Sequence, residues 1–153
     1  MKRWERWTFN ACALAVAVTG FAYLWMKYVL QTDDPFALVN HPWQTAMLDL
    51  HLVASPAFIL MFGIVLNSHV MKKLRATRLP NRRSGYLSLG TFAAMVLSGY
   101  LLQVSSSEAW LQGLVVIHVV ASSIFTLAYG AHLVISARLA RRQQIGAAIR
   151  EVA

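Results

Sequence analysis

Four stretches, about residues 7–30, 43–69, 85–104 and 109–136, are apolar along their length and hold only two charged side chains between them, Lys27 and Asp49. Each is near the roughly 20 residues a helix needs to cross the hydrocarbon of a bilayer. Lipid offers no partner to a bare main-chain N–H or C=O, so segments of this kind form helices that satisfy their own. Together they occupy about two-thirds of the 153 residues. The expected fold is therefore all-α: an integral membrane four-helix bundle running up-down-up-down, with residues 1–153 as a single membrane domain. A hydrophobic content of 58% agrees with lipid as the solvent. Little chain is left for a soluble domain, so any soluble catalytic chemistry would belong to partners.

Charge placement orients the spans. The net charge of +8 is not spread as a nucleic-acid surface would need but falls in three blocks outside the apolar segments. Lys2, Arg3 and Arg6 precede the first span; Lys72, Lys73, Arg75, Arg78, Arg82 and Arg83 fill the connection between the second and third; Arg138, Arg141, Arg142 and Arg150 follow the fourth. Four crossings put all three blocks, thirteen of the fourteen bases, on one side, with Lys27 as the exception. The other two connections contain Asp33, Asp34 and Glu108 and no base. The positive-inside rule then predicts a multi-pass membrane protein with both termini cytoplasmic and anionic lipid headgroups beside the bases.

The first span is too long and too polar-tipped for a cleavable signal peptide and is expected to remain as a helix. The lone Cys12 excludes an internal disulfide and a cysteine metal cluster within the chain. Trp4, Trp7, Tyr23, Trp25, Tyr28, Trp43 and Trp110 lie where aromatic belts form. The outer connection from Gln31 to Pro42 carries Asp33-Asp34-Pro35 and His41-Pro42, which favour turns, and the apolar run Phe36 to Val39 suggests a short interfacial segment. Leu79-Pro80-Asn81 is a helix stop, and Ser105 to Ser107 with Glu108 can start the fourth helix. No internal repeat of high identity is evident.

Within the spans lie four of the five histidines, and ionisable side chains there are scarce and usually functional. His51 and His69 are eighteen residues apart, which in an ideal α-helix is five whole turns and about 27 Å. His118 and His132 are fourteen apart, about 40° short of four turns and roughly 21 Å. Each pair thus shares a face of its helix. Random angular positions would give two such pairs roughly once in twenty. Helices two and four enter from the same side, so His51 is at the depth of His118, and His69 near that of His132. Imidazoles opposed in this way suit a six-coordinate haem, whose iron takes one axial nitrogen from each side. Without Cys-x-x-Cys-His the haem would be b-type. The expected ligands are His51 with His118 for an outer haem and His69 with His132 for an inner one. The two rises differ by about 6 Å, so a one-haem version using His51 and His118 stays open. Ser55, Phe58 and Val65 on one stripe, and Ala121, Ser122 and Phe125 on the other, suit a porphyrin's faces and edges. Gly85 and Gly99, also fourteen apart, could make room for its edges or simply pack helices. Arg82 and Arg83 are candidate partners for propionates.

With the histidines placed, the chain resembles the four-helix membrane cytochromes b of the bacterial cytochrome b561 type, including the b subunits of hydrogenases and formate dehydrogenases. The resemblance rests on Ser98-Gly99-Tyr100-Leu101-Leu102, a short outer turn, and then His118 and His132. The fourteen-residue interval is similar to the haem-ligand spacing of quinol-oxidising cytochromes b, whereas the eighteen-residue interval departs from it. The resemblance implies a relay of electrons through two haems between a quinone pool and a redox partner. That partner would be a periplasmic cytochrome c or an iron–sulfur or molybdenum subunit of a complex. Asp49 then reads either as a helix-start carboxylate or as a proton-transfer group at a quinone pocket, and His41 as a solvated loop residue. The competing expectations are a cofactor-free anchor or assembly subunit whose histidines only join helices, and, last, a transporter or non-haem metal site.

Overall fold

The computed structural model describes residues 2–71 and 82–152, and the side chains of His69 and of residues 82–85 and 146–152 lie outside the description. The connection bearing Lys72, Lys73, Arg75, Arg78 and the Leu79-Pro80-Asn81 stop therefore falls outside the described residues, as do the side chains of Arg82, Arg83 and Arg150. Among the described residues four helices follow one another: α1 over Arg3–Tyr28, α2 over Gln44–Val65, α3 over Arg82–Val104 and α4 over Glu108–Val152. A π-helical turn, Leu66–Val70, continues α2. The described residues contain no strand.

The helix starts follow from their sequences. At the head of α1 the Lys2 N–H donates to the Glu5 carboxylate at 2.8 Å, which satisfies a donor that the helix itself leaves bare. α2 opens where the His41 carbonyl accepts from Gln44 N–H at 3.0 Å and the Trp43 carbonyl from Met47 N–H at 2.9 Å. The His41 ring, half-buried, takes part as well, its Nδ1 accepting from Trp43 N–H at 3.1 Å. α4 begins as expected after the serine run, with the Ser107 carbonyl accepting from Leu111 N–H at 2.9 Å and Glu108 in its first turn, where the helix dipole favours an acid. It runs on for 45 residues, well past the end of the apolar run at 136. The reason is local: Ala137 to Ile149 contains good helix formers and no proline, and propensity continues the helix after hydrophobicity stops.

Segments of the four helices, Arg3–Tyr28, Gln44–Ser68, Tyr86–Val104 and Glu108–Ile145, are long and apolar enough to cross a membrane. Their outer faces are apolar too: Val53 is 76% exposed, Leu60 68%, Trp110 70% and Leu127 74%, a surface suited to lipid and not to water.

The chain divides into two helical hairpins, α1 with α2 and the π turn, and α3 with α4. In the first, Phe9 packs on Phe58 and Phe62 with centroids 5.3 Å and 6.2 Å apart, and Val16, Met61 and Val65 are buried. In the second, Phe92 meets Phe125 at 5.8 Å, Phe125 stacks on Tyr129 at 5.8 Å, and Met95, Leu114, Ala121 and Ala128 are buried. Each aromatic pair contributes about 0.5–1.5 kcal/mol beyond its buried area. Hydroxyls inside the helices satisfy themselves by donating one turn back, Thr19 to the Ala15 carbonyl at 2.7 Å, Thr91 to Leu87 at 2.8 Å, Ser98 to Ala94 at 2.7 Å and Thr126 to Ser122 at 2.8 Å.

Candidate cofactor site

In the first hairpin, His51 of α2 turns its Nδ1 to the main chain of α1. The Val16 carbonyl lies 3.0 Å from that nitrogen and the Thr19 hydroxyl 3.4 Å. A carbonyl only accepts, so Nδ1 carries the proton and donates, and the ring's lone pair is at Nε2. The Thr19 hydroxyl spends its own hydrogen on the Ala15 carbonyl and presents oxygen lone pairs to the same Nδ1–H. The backbone can come this close because residue 20 is glycine: a Cβ there would sit 2.9 Å from Cε1 and 3.0 Å from Nδ1 of His51.

The second hairpin repeats the arrangement. His118 of α4 donates from Nδ1 to the Met95 carbonyl of α3 at 3.0 Å, with the Ser98 hydroxyl 3.2 Å away. That hydroxyl donates to the Ala94 carbonyl at 2.7 Å, and Ser98 is itself buried, 3% exposed. A Cβ on Gly99 would fall 3.0 Å from Cε1 and 3.2 Å from Nδ1 of His118. Gly99 thus seats an imidazole, a closer role than the one its spacing from Gly85 suggests. Gly85 lies among the residues whose surroundings are not described.

The correspondence extends into the sequence. His51-Leu-Val-Ala-Ser-Pro-Ala-Phe58 and His118-Val-Val-Ala-Ser-Ser-Ile-Phe125 agree at five of eight positions, and each closing phenylalanine packs on a phenylalanine of the preceding helix. On that preceding helix the accepting carbonyl is four residues before the glycine and the hydroxyl one before it, in Val16-Thr19-Gly20 and again in Met95-Ser98-Gly99. A short local repeat of partial identity is therefore present, in a chain without an internal repeat of high identity. Its short matching segments are scattered over unlike stretches, so whole-chain similarity hides them.

The repeat has two differences. Ser55 donates to the His51 carbonyl at 2.6 Å, whereas the buried hydroxyl oxygen of its counterpart Ser122 has no hydrogen-bond partner among the described residues. Pro56, following Ser55, lies inside α2, lacks an N–H and leaves the Leu52 carbonyl without its usual helical donor.

The remaining candidates are placed as follows. His132 lies on the unbroken helix of α4 and is half-buried, so its phase to His118 is that of regular α-helix. His69 is in the π turn, and its side chain lies outside the description. A π turn bonds i to i+5 and takes in an extra residue, so the interval from His51 is not the five whole α-helical turns expected. The residue that stands fourteen after His51, as His132 does after His118, is Val65, which is buried. Asp49 is exposed near the start of α2. Among the described residues no three His, Cys, Asp or Glu side chains converge as they would on a metal ion held by protein alone.

Spacing did not find Val16, Thr19, Gly20 or Met95. The carbonyls leave no mark in sequence, but Thr19-Gly20 and Ser98-Gly99 do, as a hydroxyl–glycine pair in the first helix of each hairpin. No protein-family model, curated protein or solved structure matches the chain.

Proposed function

We propose that the chain is a membrane electron-transfer protein of the four-helix cytochrome b type, an up-down-up-down bundle in a bacterial inner membrane with both termini cytoplasmic. It binds b-type haem through His51 and His118, and a second haem through His69 and His132, and relays electrons between a quinone pool and a redox partner. That partner is a periplasmic cytochrome c or an iron–sulfur or molybdenum subunit of a complex.

The observation that carries this reading is the matched contact of His51 and His118 with a main-chain carbonyl. Each donates its Nδ1–H to a main-chain carbonyl, the arrangement that orients a metal-ligating imidazole and places its lone pair at Nε2. The residues fit such a group in other ways. The rings are held against glycine, apolar helices exclude water, and the Ser122 hydroxyl is a buried donor with no described partner. A haem supplies reversible one-electron chemistry at its iron; the protein's part is to fix axial nitrogens and set their basicity. The inner pair has less behind it, because the π turn interrupts the helix at His69.

A second reading draws on the same bonds. As links within hairpins, the two histidine–carbonyl contacts would contribute about 0.6–1.7 kcal/mol each, enough to serve a cofactor-free anchor or assembly subunit. The two readings part in a visible spectrum. The purified protein is expected to show a reduced-minus-oxidised haem b spectrum, with pyridine haemochrome giving the haem count. His51→Ala and His118→Ala are each expected to lose the outer haem. Protein that stays colourless with haem in ample supply during expression rules the electron-transfer reading out in favour of the anchor.

A further inference from the structure

We propose that Thr19 and Ser98 are positioning residues that lock His51 and His118 in the Nδ1–H tautomer and strengthen their Nε2 lone pairs. The geometry admits one consistent proton arrangement. Were Nδ1 unprotonated, its lone pair would face the Val16 carbonyl oxygen at 3.0 Å, or that of Met95 at 3.0 Å, lone pair against lone pair. With Nδ1 protonated, the N–H is shared between that carbonyl and the hydroxyl oxygen, at 3.4 Å for Thr19 and 3.2 Å for Ser98. The hydroxyl hydrogens are aimed at main-chain carbonyls and not at Nδ1: the short bonds run to Ala15 and Ala94 at 2.7 Å in both cases, with the Val16 and Met95 carbonyls as longer second acceptors at 3.3 Å and 3.1 Å. Each hydroxyl is thereby polarised to accept, and the short relay from Nδ1–H through the hydroxyl to a carbonyl strengthens along its length.

Two acceptors on one N–H draw the proton away from the ring and raise electron density at Nε2, which makes the imidazole a stronger donor to a metal. The relay is built twice from the same parts, and in each case the hydroxyl stands next to the glycine that lets the ring approach. The consequence for redox potential rests on the proposed haem. The tautomer stands on the protein alone.

The test uses the full chain in lipid nanodiscs with 15N-labelled histidine, first haem-free and then haem-loaded. In the haem-free wild type, His51 and His118 are expected to show a protonated Nδ1 and an unprotonated Nε2. Thr19→Val and Ser98→Ala remove one acceptor each, so part of the corresponding histidine should move to the other tautomer, and the haem midpoint potential should rise. The change should be larger in Ser98→Ala, where the contact is shorter. Thr19→Ser and Ser98→Thr should restore wild-type behaviour in both measurements. A protonated Nε2 at either histidine of the haem-free wild type overturns the proposal, and so do variants that match wild type in tautomer and potential alike. Expected tautomers in a protein that takes up no haem would leave this inference standing and remove the electron-transfer reading.

Discussion

A methyl group added at Gly20 or Gly99 has nowhere to go but into an imidazole. The clearance of 2.9 Å at Gly20 is shorter than real Cβ contacts and that of 3.0 Å at Gly99 is tighter than nearly all of them, so the ring must give way or the helices must part. Either movement lengthens the Nδ1–carbonyl bond. Gly20→Ala and Gly99→Ala are each expected to cost about 1–3 kcal/mol, the usual range for overpacking, read as earlier thermal unfolding in detergent. The same variants should lose haem more readily than wild type. Alanine at Gly63 or Gly113, where an added Cβ meets nothing within 4 Å, is the matched control, and equal destabilisation at all four positions would refute the ring-seat account. His51 and His118 were legible in the sequence because an ionisable side chain in an apolar run stands out. Their supports were not, because a main-chain carbonyl has no letter of its own and a glycine reads the same whether it seats a ring or packs a helix.

At the scale of elements, the connection between α1 and α2 is ordered by its own polar groups while it displays apolar ones. The Asp34 carboxylate accepts from Phe36 N–H at 2.9 Å, Asn40 donates to the Lys27 carbonyl at 2.9 Å, and Gln44 accepts from Asn40 N–H at 3.1 Å. Between these anchors Phe36 is 89% exposed and Leu38 99%. The flanking Trp25, Tyr28 and Trp43 are exposed as well, as residues of an aromatic belt would be, so the loop tip is expected to rest among lipid headgroups. A spin label on Leu38→Cys in a Cys12→Ala background, with the protein in vesicles, should be more accessible to oxygen than to a water-soluble nickel reagent. The reverse order of accessibility would place the tip in water. The apolar run Phe36 to Val39 is what suggests an interfacial segment in the sequence, and the structure shows its apolar side chains exposed. The π turn at Leu66–Val70 gave no such notice: Leu-Asn-Ser-His-Val is ordinary helical sequence, and a change from i+4 to i+5 bonding is decided by packing, which composition does not record.

For the whole molecule, hydrophobic run length and base placement are independent observables that lead to one orientation. Thirteen bases fall on the side predicted to be cytoplasmic and one, Lys27, on the other. The structure accounts for the exception: the Lys27 ammonium lies 5.5 Å from the ring centroids of both Tyr23 and Tyr28. Contacts of this kind contribute about 0.5–1 kcal/mol at exposed sites, and they hold the charge at the C-terminal end of α1 among aromatic residues. A base so retained does not compete with blocks of three to six, since orientation follows the difference in Lys and Arg between the two sides. Alkaline phosphatase, which folds only in the periplasm, should therefore be inactive when fused after Ala153 and active when inserted in the Ser105–Ser107 turn. A green fluorescent protein fusion should give the opposite pattern. Phosphatase activity from the Ala153 fusion would invert the topology and with it the assignment of the His51 and His118 level to the outer leaflet. The site within each hairpin would be unchanged, because its bonds run between neighbouring helices and do not depend on which side faces the cytoplasm.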